Sequence, residues 1–324
     1  MKALICGVTG QDGSYLAKLL IDKGYEVVGT SRDAMVASKS NLVSLGIHDK
    51  VVLTSMAIND FRSVLGVVQH HRPSEIYNLA GQTSVGLSFD QPVEAMESIA
   101  HGTLNLLEAI RFVDPSIRFY NAGSSECFGD TGSSPADEET PFRPRSPYAV
   151  AKASAYWLVR NYRDAYRLFG CTGILFNHES PLRPNRFVTQ KIIRGAAFIA
   201  QGGCGKLELG NIDIHRDWGW APEYVEPMWL MLQQQHADDY VIATGRSNSL
   251  AYFVSRAFSW FDLNWEEHVN LNKQLYRPSD IAFSQGNPSK AAVQLGWRAR
   301  LDLDAVIDKM CSAAANKSCK PGES

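Results

Sequence analysis

The chain has 324 residues, of which 45% are hydrophobic and 20% are charged. This length suggests one large domain or two, and it suffices to bury a core without disulfides or metals. The 32 Lys and Arg residues nearly balance the 34 Asp and Glu residues, giving a formal net charge of -2. That balance argues against a strongly basic nucleic-acid-binding protein and against a highly charged disordered chain.

Cysteines and apolar segments further restrict the class of protein. The six cysteines include no CxxC pair, so neither a zinc ribbon, a redox dithiol nor a disulfide framework is predicted. The short apolar run at the N-terminus is followed by Asp12, which argues against a signal peptide. No apolar stretch approaches the roughly 20 residues of a membrane span. We therefore expect a cytoplasmic protein with no metal site and no nucleic-acid or membrane partner.

Short apolar runs alternate with helical patterns through the first half of the chain. The predicted strands lie at 3–6, 26–29, 51–53, 76–79 and 119–122. Predicted helices fit between them, including 60–70 and 92–112. This βαβ alternation implies a parallel sheet covered by helices on both faces.

A glycine-rich turn follows the first predicted strand and opens a helix. It reads Gly7-Val8-Thr9-Gly10-Gln11-Asp12-Gly13. In such a turn the glycines permit a tight bend, close approach of the backbone to a pyrophosphate, and close helix–strand packing. The N-terminus of the helix then presents free N–H groups to the phosphates. The turn predicts a dinucleotide site in a Rossmann-type α/β fold with a doubly wound parallel sheet.

The pattern changes after about residue 176, where loops lengthen and tryptophans become frequent. We expect residues 1–176 to form the dinucleotide-binding domain, with a later segment at about 211–225 returning to it. Residues 177–324 are expected to form mainly a smaller, mixed α/β substrate lobe.

The end of the second predicted strand bears on the choice of cofactor. NAD sites usually place an acidic residue there for the ribose hydroxyls. Here Arg32 can pair with a 2′-phosphate and Ser31 can hydrogen-bond to it, whereas Asp33 would repel it unless turned away. The sequence favours NADP, with NAD as the alternative.

Tyr148 and Lys152 stand four residues apart, so on a helix they share one face. An ammonium near a phenol lowers the phenol pKa, and the phenolate can then take a hydroxyl proton. The pair follows the fifth predicted strand, which ends in the hydroxyl-rich run at 121–126. Because ligands bind at the carboxyl ends of such strands, Ser124 is expected beside Tyr148.

Several further motifs carry a resemblance that covers nearly the whole chain. They are GVTGQDGSYL at 7–16, IYNLA at 76–80, RPRSPY at 143–148, LFNHESP at 175–181, RDWG at 216–219, YRP at 276–278 and GNPSK at 286–290. Together they resemble the extended short-chain dehydrogenase/reductase family and, within it, the GDP-mannose 4,6-dehydratase family. The Gln-Asp-Gly, Asn-His-Glu-Ser-Pro and Arg-Asp-Trp-Gly runs separate this branch from ordinary nucleotide-sugar epimerases.

The resemblance implies a lyase that oxidises C4 of a GDP-sugar, removes water across C5 and C6, and reduces C6. It implies a catalytic set of Ser124, Glu126, Tyr148 and Lys152. The implied NADP-binding residues are Gly7, Thr9, Gly10, Gln11, Asp12, Gly13, Arg32, Leu79, Ala80, Tyr148, Lys152 and His178. The implied substrate-binding residues are Ser84, Ser125, Asn177, Val188, Lys191, Arg216 and Arg277.

The resemblance also implies a homo-oligomer, at least a dimer, paired through two long helices at 92–112 and 148–168. Apolar Leu104, Leu107, Trp157 and Leu158 are candidates for that interface.

Several positions depart from the family pattern. Ser124 replaces a threonine, Arg32-Asp33-Ala34-Met35 replaces an arginine-rich loop used in tetramers, and Leu182-Arg183-Pro184-Asn185-Arg186 replaces an Arg-Arg-Gly run. The third strand ends in Thr54-Ser55-Met56 without the usual adenine-binding Asp, so a serine or backbone contact is expected there instead. These departures leave GDP-manno-heptose as an alternative substrate to GDP-mannose. A nucleotide-sugar epimerase or reductase and a non-catalytic NADP sensor are further alternatives.

Overall fold

Thirteen strands and twelve helices make up the computed structural model, which describes residues 1–318. The strands are β1 (Lys2–Cys6), β2 (Glu26–Ser31), β3 (Val51–Ser55), β4 (Glu75–Asn78), β5 (Arg118–Ala122), β6 (Gly170–Leu175), β7 (Asn177–Glu179), β8 (Leu207–Leu209), β9 (His215–Arg216), β10 (Trp218–Trp220), β11 (Tyr240–Ile242), β12 (Asn248–Ser249) and β13 (Val269–Leu271). The helices are α1 (Gln11–Asp22), α2 (Ser40–Ser44), α3 (Phe61–His71), α4 (Val85–Asp90), α5 (Pro92–Ala95), α6 (Gly102–Val113), α7 (Pro147–Tyr166), α8 (Val188–Ala200), α9 (Ala221–Leu232), α10 (Leu250–Trp260), α11 (Trp265–His268) and α12 (Leu303–Ser318). A π-helical segment, Met96–His101, joins α5 to α6.

The central sheet has seven parallel strands in the order β3-β2-β1-β4-β5-β6-β11. The strand order reverses between β1 and β4, which is where Rossmann-type sheets open a crevice for ligands. The predicted fold class is confirmed, and each of the five predicted strands is present within two residues of its predicted ends. Strands β6 and β11 were not predicted.

Apolar side chains cover both faces of this sheet. On one face, Ile5 and Tyr120 pack with residues of α1 and α9. On the other face, Leu4 and Phe119 pack with α3, α6 and α7. This burial on both faces explains why the predicted strands are almost continuously apolar.

A separate core lies in the second half of the chain. It joins α8, α10 and α12, and it includes Ile212, Ile214 and Trp218. The first part of the segment predicted to return to the first domain, 211–225, belongs to this second core. Its last part begins α9, which packs on α1 and places Tyr224 and Val225 in the core of the sheet, and β11 then pairs with β6.

Within residues 1–318, the longest apolar helices fall short of what is needed to cross a membrane. The same residues contain no group of three or more His, Cys, Asp or Glu side chains arranged to hold a metal ion. Five cysteines are free thiols, four of them buried. Cys319 lies outside the described residues.

Candidate active site

Close backbone packing leaves no room for a side chain at two positions of the glycine turn, Gly7 and Gly13. A Cβ on Gly13 would lie 2.3 Å from the carbonyl oxygen of Gly7, and Gly7 itself has a positive φ of 81°. A Cβ on Gly7 would lie 3.0 Å from the Leu79 carbonyl oxygen and 3.1 Å from the Cα of Ala80. Gly10 begins α1 without any side-chain cap, which suits an N-terminus that receives phosphates. This cradle fits a dinucleotide.

A buried network anchors the turn from behind. His178 Nδ1 lies 2.7 Å from the Phe176 carbonyl oxygen and its Nε2 lies 2.9 Å from a carboxylate oxygen of Asp12. A carbonyl only accepts hydrogen bonds, so Nδ1 carries a proton, and the carboxylate favours a second proton on Nε2. Gln11 adds links to Asp12 and to the His178 carbonyl oxygen, and it accepts from the Ser180 hydroxyl at 2.8 Å.

The charges of this network fix its protonation. Burial would raise the pKa of Asp12, but the His178 charge and the hydrogen bonds from His178 and Gln11 bring it down to about 2. Burial would lower the pKa of His178, and the Asp12 charge and hydrogen bond outweigh it, so the pKa of His178 is raised. Both shifts favour the imidazolium–carboxylate form of the pair, which ties β7 to the start of α1.

The end of β2 places Arg32 in solvent. Its side chain is 87% exposed and its nearest acidic partner is Glu94, at 3.9 Å. The Asp33 carboxylate accepts a hydrogen bond from the Met35 N–H at 2.8 Å, so it caps its own loop. Ser55, at the end of β3, accepts from the Ala34 N–H at 3.0 Å. Arg32 is thus free to meet a 2′-phosphate, while Asp33 is engaged elsewhere.

Ser124, Tyr148 and Lys152 come together at the carboxyl end of β5. Ser146 and Pro147 begin α7, and Ser146 accepts from the Ala149 N–H at 3.1 Å, which sets the start of the helix. The Lys152 ammonium donates to the Ala122 carbonyl oxygen at 2.7 Å and lies 5.8 Å from the Tyr148 ring centroid.

Burial governs the protonation of this trio. It lowers the pKa of Lys152 to about 8. Burial also raises the pKa of the Tyr148 phenol, and the opposing effects of the Ser124 hydrogen bond and the Arg183 charge are smaller. In the protein alone the pKa of the phenol is therefore above its ordinary value and not below it, because desolvation is the largest effect.

Glu126 lies within the electrostatic influence of two arginines, Arg216 and Arg277. It lies in a short 3-10 turn after β5, where its backbone N–H donates to the Ser124 hydroxyl at 3.3 Å. Burial raises the pKa of its carboxyl group, the charges of Arg216 and Arg277 lower it, and Asp280 raises it. Arg216 is buried and donates to Asp280 at 3.0 Å, whereas Arg277 lies 3.6 Å from the same carboxylate.

The other predicted substrate residues lie at the starts of helices and strands in both halves of the chain. Ser84 accepts from the Leu87 N–H and starts α4, while Ser125 is buried in the turn beside Glu126. Asn177 begins β7 and Val188 begins α8. The Lys191 ammonium donates to the Glu208 carbonyl oxygen. The contacts that join the two halves of the chain at the site are the bond between Asp12 and His178 and the charges of Arg216 and Arg277 acting on Glu126.

A family model described as GDP-mannose 4,6 dehydratase matches residues 4–310. The chain belongs to the GDP-mannose 4,6-dehydratase family. It is 43% identical over 318 residues to GDP-mannose 4,6 dehydratase 1 of Arabidopsis thaliana, covering 95% of this chain and 88% of that protein. It is 44% identical over 320 residues to the GDP-mannose 4,6-dehydratase of Sinorhizobium fredii, covering 91% of each chain. The human protein is 41% identical over 336 residues, with 96% and 90% covered.

Solved structures of other sugar-nucleotide enzymes share the fold. The UDP-glucose 4-epimerase of Thermotoga maritima, solved with UDP-glucose, superposes with a TM-score of 0.87 at 20% identity, covering 99% of this chain and all of that one. The dTDP-glucose 4,6-dehydratase DesIV of Streptomyces venezuelae, solved with NAD, gives 0.85 at 19% identity, covering 97% and 96%.

Arg183 and Asp280 are charged residues beside the site that were not predicted as site residues. Arg183 stacks over Phe187 at 3.8 Å from the ring centroid and pairs with Glu179 at 3.4 Å. Its charge opposes the rise that burial causes in the pKa of Tyr148. Asp280 holds Arg216 in place. Arg183 lies just after the family's Asn-His-Glu-Ser-Pro run, which was a signal for it, whereas Asp280 belongs to no motif that marks it.

Proposed function

We propose that this chain converts GDP-mannose to GDP-4-keto-6-deoxymannose, through oxidation at C4, loss of water across C5 and C6, and reduction at C6. Membership of the GDP-mannose 4,6-dehydratase family supports the reaction. The observation that carries it is Glu126, a half-buried carboxyl group with a raised pKa, which follows Ser124 at the carboxyl end of β5 and acts electrostatically on Tyr148. An epimerase or reductase has no need of an acid–base group at that position.

The proposed cofactor is NADP, held by the glycine turn, the ends of β2 and β4, and His178. When bound, its oxidised form would accept the hydride lost from C4 and add a positive charge that favours a phenolate, and the reduced form so produced would return the hydride to C6. Arg32 supports NADP over NAD because its guanidinium is exposed and can bind a 2′-phosphate, while Asp33 is engaged with its own loop.

Tyr148 takes the proton of the C4 hydroxyl, which Ser124 orients. The buried ammonium of Lys152, fixed by the Ala122 carbonyl oxygen, stabilises the phenolate. Once C4 carries a ketone, the C5–H bond is more acidic. Glu126 removes that proton and then protonates the departing C6 hydroxyl, so that water leaves. Its raised pKa suits a group that must give up a proton as readily as it takes one.

Binding of the nucleotide diphosphate is proposed for the two arginines opposite Glu126. Arg216 is oriented by the carbonyl oxygens of His215 and Ile281 and by Asp280. Arg277 shares the Asp280 carboxylate and is more exposed. Asn177, Val188 and Lys191 are proposed to line the rest of the nucleotide cleft, with Ser84 and Ser125 on the sugar side.

A homodimer is proposed, formed by the long helices at 92–113 and 147–166. Val93, Met96, Val150 and Trp157 are exposed apolar side chains on these helices, Trp157 with 55% of its surface accessible. Leu107 needs correction as an interface candidate, because it is completely buried in the core of its own chain. The cytoplasmic location stays a prediction.

The function is tested by incubating the protein with NADP and either GDP-mannose or GDP-manno-heptose, followed by mass analysis of the nucleotide sugars. We expect loss of 18 mass units from GDP-mannose without net change in NADP. A product from the heptose alone would transfer the proposal to that substrate, and a product of unchanged mass would indicate an epimerase.

A further inference from the structure

Gln82 carries a buried hydrogen-bond acceptor without a partner in the described part of the chain. Its backbone N–H donates to the Ser98 hydroxyl at 3.1 Å, and its side-chain Nε2 donates to the Ser84 carbonyl oxygen at 2.8 Å. These two bonds fix the side chain, yet its Oε1 is buried and unpaired. Because an unsatisfied buried acceptor costs free energy, such an atom calls for a donor from outside the chain.

The loop that carries Gln82 packs against the surroundings of Tyr148. Gly81, with a φ of 120°, lies against Ser98 and Ile99. Ile99 and Tyr148 belong to one buried cluster, against which Val85 also packs. The residues on both sides of Gln82 therefore rest on the cluster that contains the proposed catalytic phenol.

The second lobe reaches over the same loop. Arg186, which follows β7, donates to the Thr83 hydroxyl at 2.9 Å. The residue that follows Gln82 is therefore tied to the segment between β7 and α8. In the described part of the chain, five of the other buried polar side-chain atoms without a hydrogen bond belong to residues of strands or helices: Asn78, Tyr120, Asn121, Thr172 and Tyr224. The sixth is Nε of Arg183, which lies 3.4 Å from the Glu179 carboxylate.

We propose that Gln82 is a specificity-determining residue whose Oε1 accepts a hydrogen bond from the C3 hydroxyl of the sugar. This inference rests on the proposed function, in which Tyr148 and Ser124 face C4 and Glu126 serves C5 and C6. The C3 hydroxyl is the neighbour of the C4 hydroxyl on the side away from C5. A hydroxyl donor there satisfies the orphan acceptor and selects sugars that carry it.

A cycle of one substitution and one substrate change tests this assignment. Gln82→Met keeps the length of the side chain and removes the acceptor, and we expect about a tenfold loss in kcat/KM for GDP-mannose. Wild-type protein should lose about the same factor on GDP-3-deoxymannose, and Gln82→Met should lose nothing further on that substrate. GDP-2-deoxymannose should show independent, multiplicative losses.

Two variants separate the acceptor from the rest of the side chain. Gln82→Glu keeps an acceptor and loses the bond to Ser84, so it should retain more activity on GDP-mannose than Gln82→Met. Gln234→Met is the matched control, because its Nε2 also donates to a backbone carbonyl oxygen, that of Leu230, far from the cleft. It should keep wild-type kinetics.

Several outcomes overturn the proposal. Full activity of Gln82→Met on GDP-mannose would mean that water satisfies Oε1. Multiplicative losses with GDP-3-deoxymannose would exclude the C3 hydroxyl, and a rise confined to the dissociation constant of NADP would assign Oε1 to the cofactor. If Gln82→Met fails to fold, Gln82→Glu and the wild-type comparison of the two deoxy substrates decide. An inactive wild-type protein would instead refute the proposed function.

Discussion

Asp12, in the first turn of α1 after β1, and Glu126, in the turn after β5, lie at the same edge of the central sheet, and their surroundings shift their pKa values in opposite directions. Asp12 is held by His178 and Gln11, and its pKa falls to about 2. Glu126 lies in a desolvated turn with a raised pKa, and the nearby Arg216 gives its close contact to Asp280 instead. A carboxylate with a structural role accepts hydrogen bonds that lower its pKa. A carboxyl group that must exchange protons lies away from such donors, so its pKa stays higher.

The strongest test of this contrast is Glu126→Gln, which keeps the size and removes the acid–base function. We expect dehydration to fall by about 10²–10⁴-fold while oxidation at C4 persists. Single-turnover absorbance in the NADPH band, with mass analysis of the sugar, follows the two halves separately. Tyr148→Phe is the comparison variant and should abolish both halves. Release of dehydrated sugar by Glu126→Gln at the wild-type rate would remove Glu126 from the mechanism.

Asp12→Asn tests the other of the two carboxyl groups. It should reduce stability and cofactor affinity more than it reduces the rate of the catalytic steps. Because the Asp12 pKa is lowered from 3.8 to about 2, loss of this carboxylate should lower the free energy of unfolding by about 2–3 kcal/mol, measured by urea titration. Asp22→Asn is the control, since Asp22 is on the same helix in an exposed pair with Lys18, and it should change stability by less than about 0.5 kcal/mol. Equal effects would contradict the anchoring role.

The buried pair of Asp12 and His178 predicts how the stability of the protein depends on pH. Asp12 has its pKa lowered from 3.8 to about 2, so its contribution is complete above pH 4 and is lost as pH falls toward 2. The raised pKa of His178 adds a contribution that is present below its unfolded value of 6.5 and is lost as pH rises through its folded value. Asp12→Asn should remove the acid-side dependence.

Arg32→Ala removes an exposed charge that takes no part in the proposed proton transfers and does not pack in the core. We expect about a tenfold loss of NADP affinity and little change for NAD, by titration calorimetry. The exposed Arg62 is the matched control, and Arg62→Ala should leave both affinities unchanged. Tighter binding of NAD than NADP by the wild-type protein, unaffected by Arg32→Ala, would overturn the choice of NADP.

The smallest effect concerns the charges around Glu126. Because the Arg277 charge lowers the Glu126 pKa, Arg277→Gln should move the acidic limb of kcat/KM toward higher pH. Arg298→Gln replaces an exposed arginine that is absent from the charges acting on Glu126, and it should leave the limb in place. A shift toward lower pH after Arg277→Gln would show that Glu126 does not set this limb.

The sequence-based predictions succeeded where neighbouring residues in the chain form a recognisable pattern. Strands β1 to β5 were predicted because their apolar runs are continuous, whereas β6 is interrupted by Gly170, Thr172 and Gly173, and β11 has only three residues. Spacing predicted that Tyr148 and Lys152 share a face, and strand order placed Ser124 near them. The raised pKa of Tyr148, the hold of Asp280 on Arg216 and the orphan acceptor of Gln82 depend on tertiary burial, which no local pattern encodes.

The late position of β11 in the chain has a consequence for biosynthesis. This strand completes the sheet beside β6, and Asp239 secures it through both carboxylate oxygens to Arg163 and through the Thr172 N–H. A nascent chain therefore leaves the edge of β6 unpaired until residue 242 has emerged from the ribosome. Exposed edges pair readily with other strands, so a fragment ending near residue 176 should aggregate, and folding of the first lobe should finish only when most of the second has been synthesised.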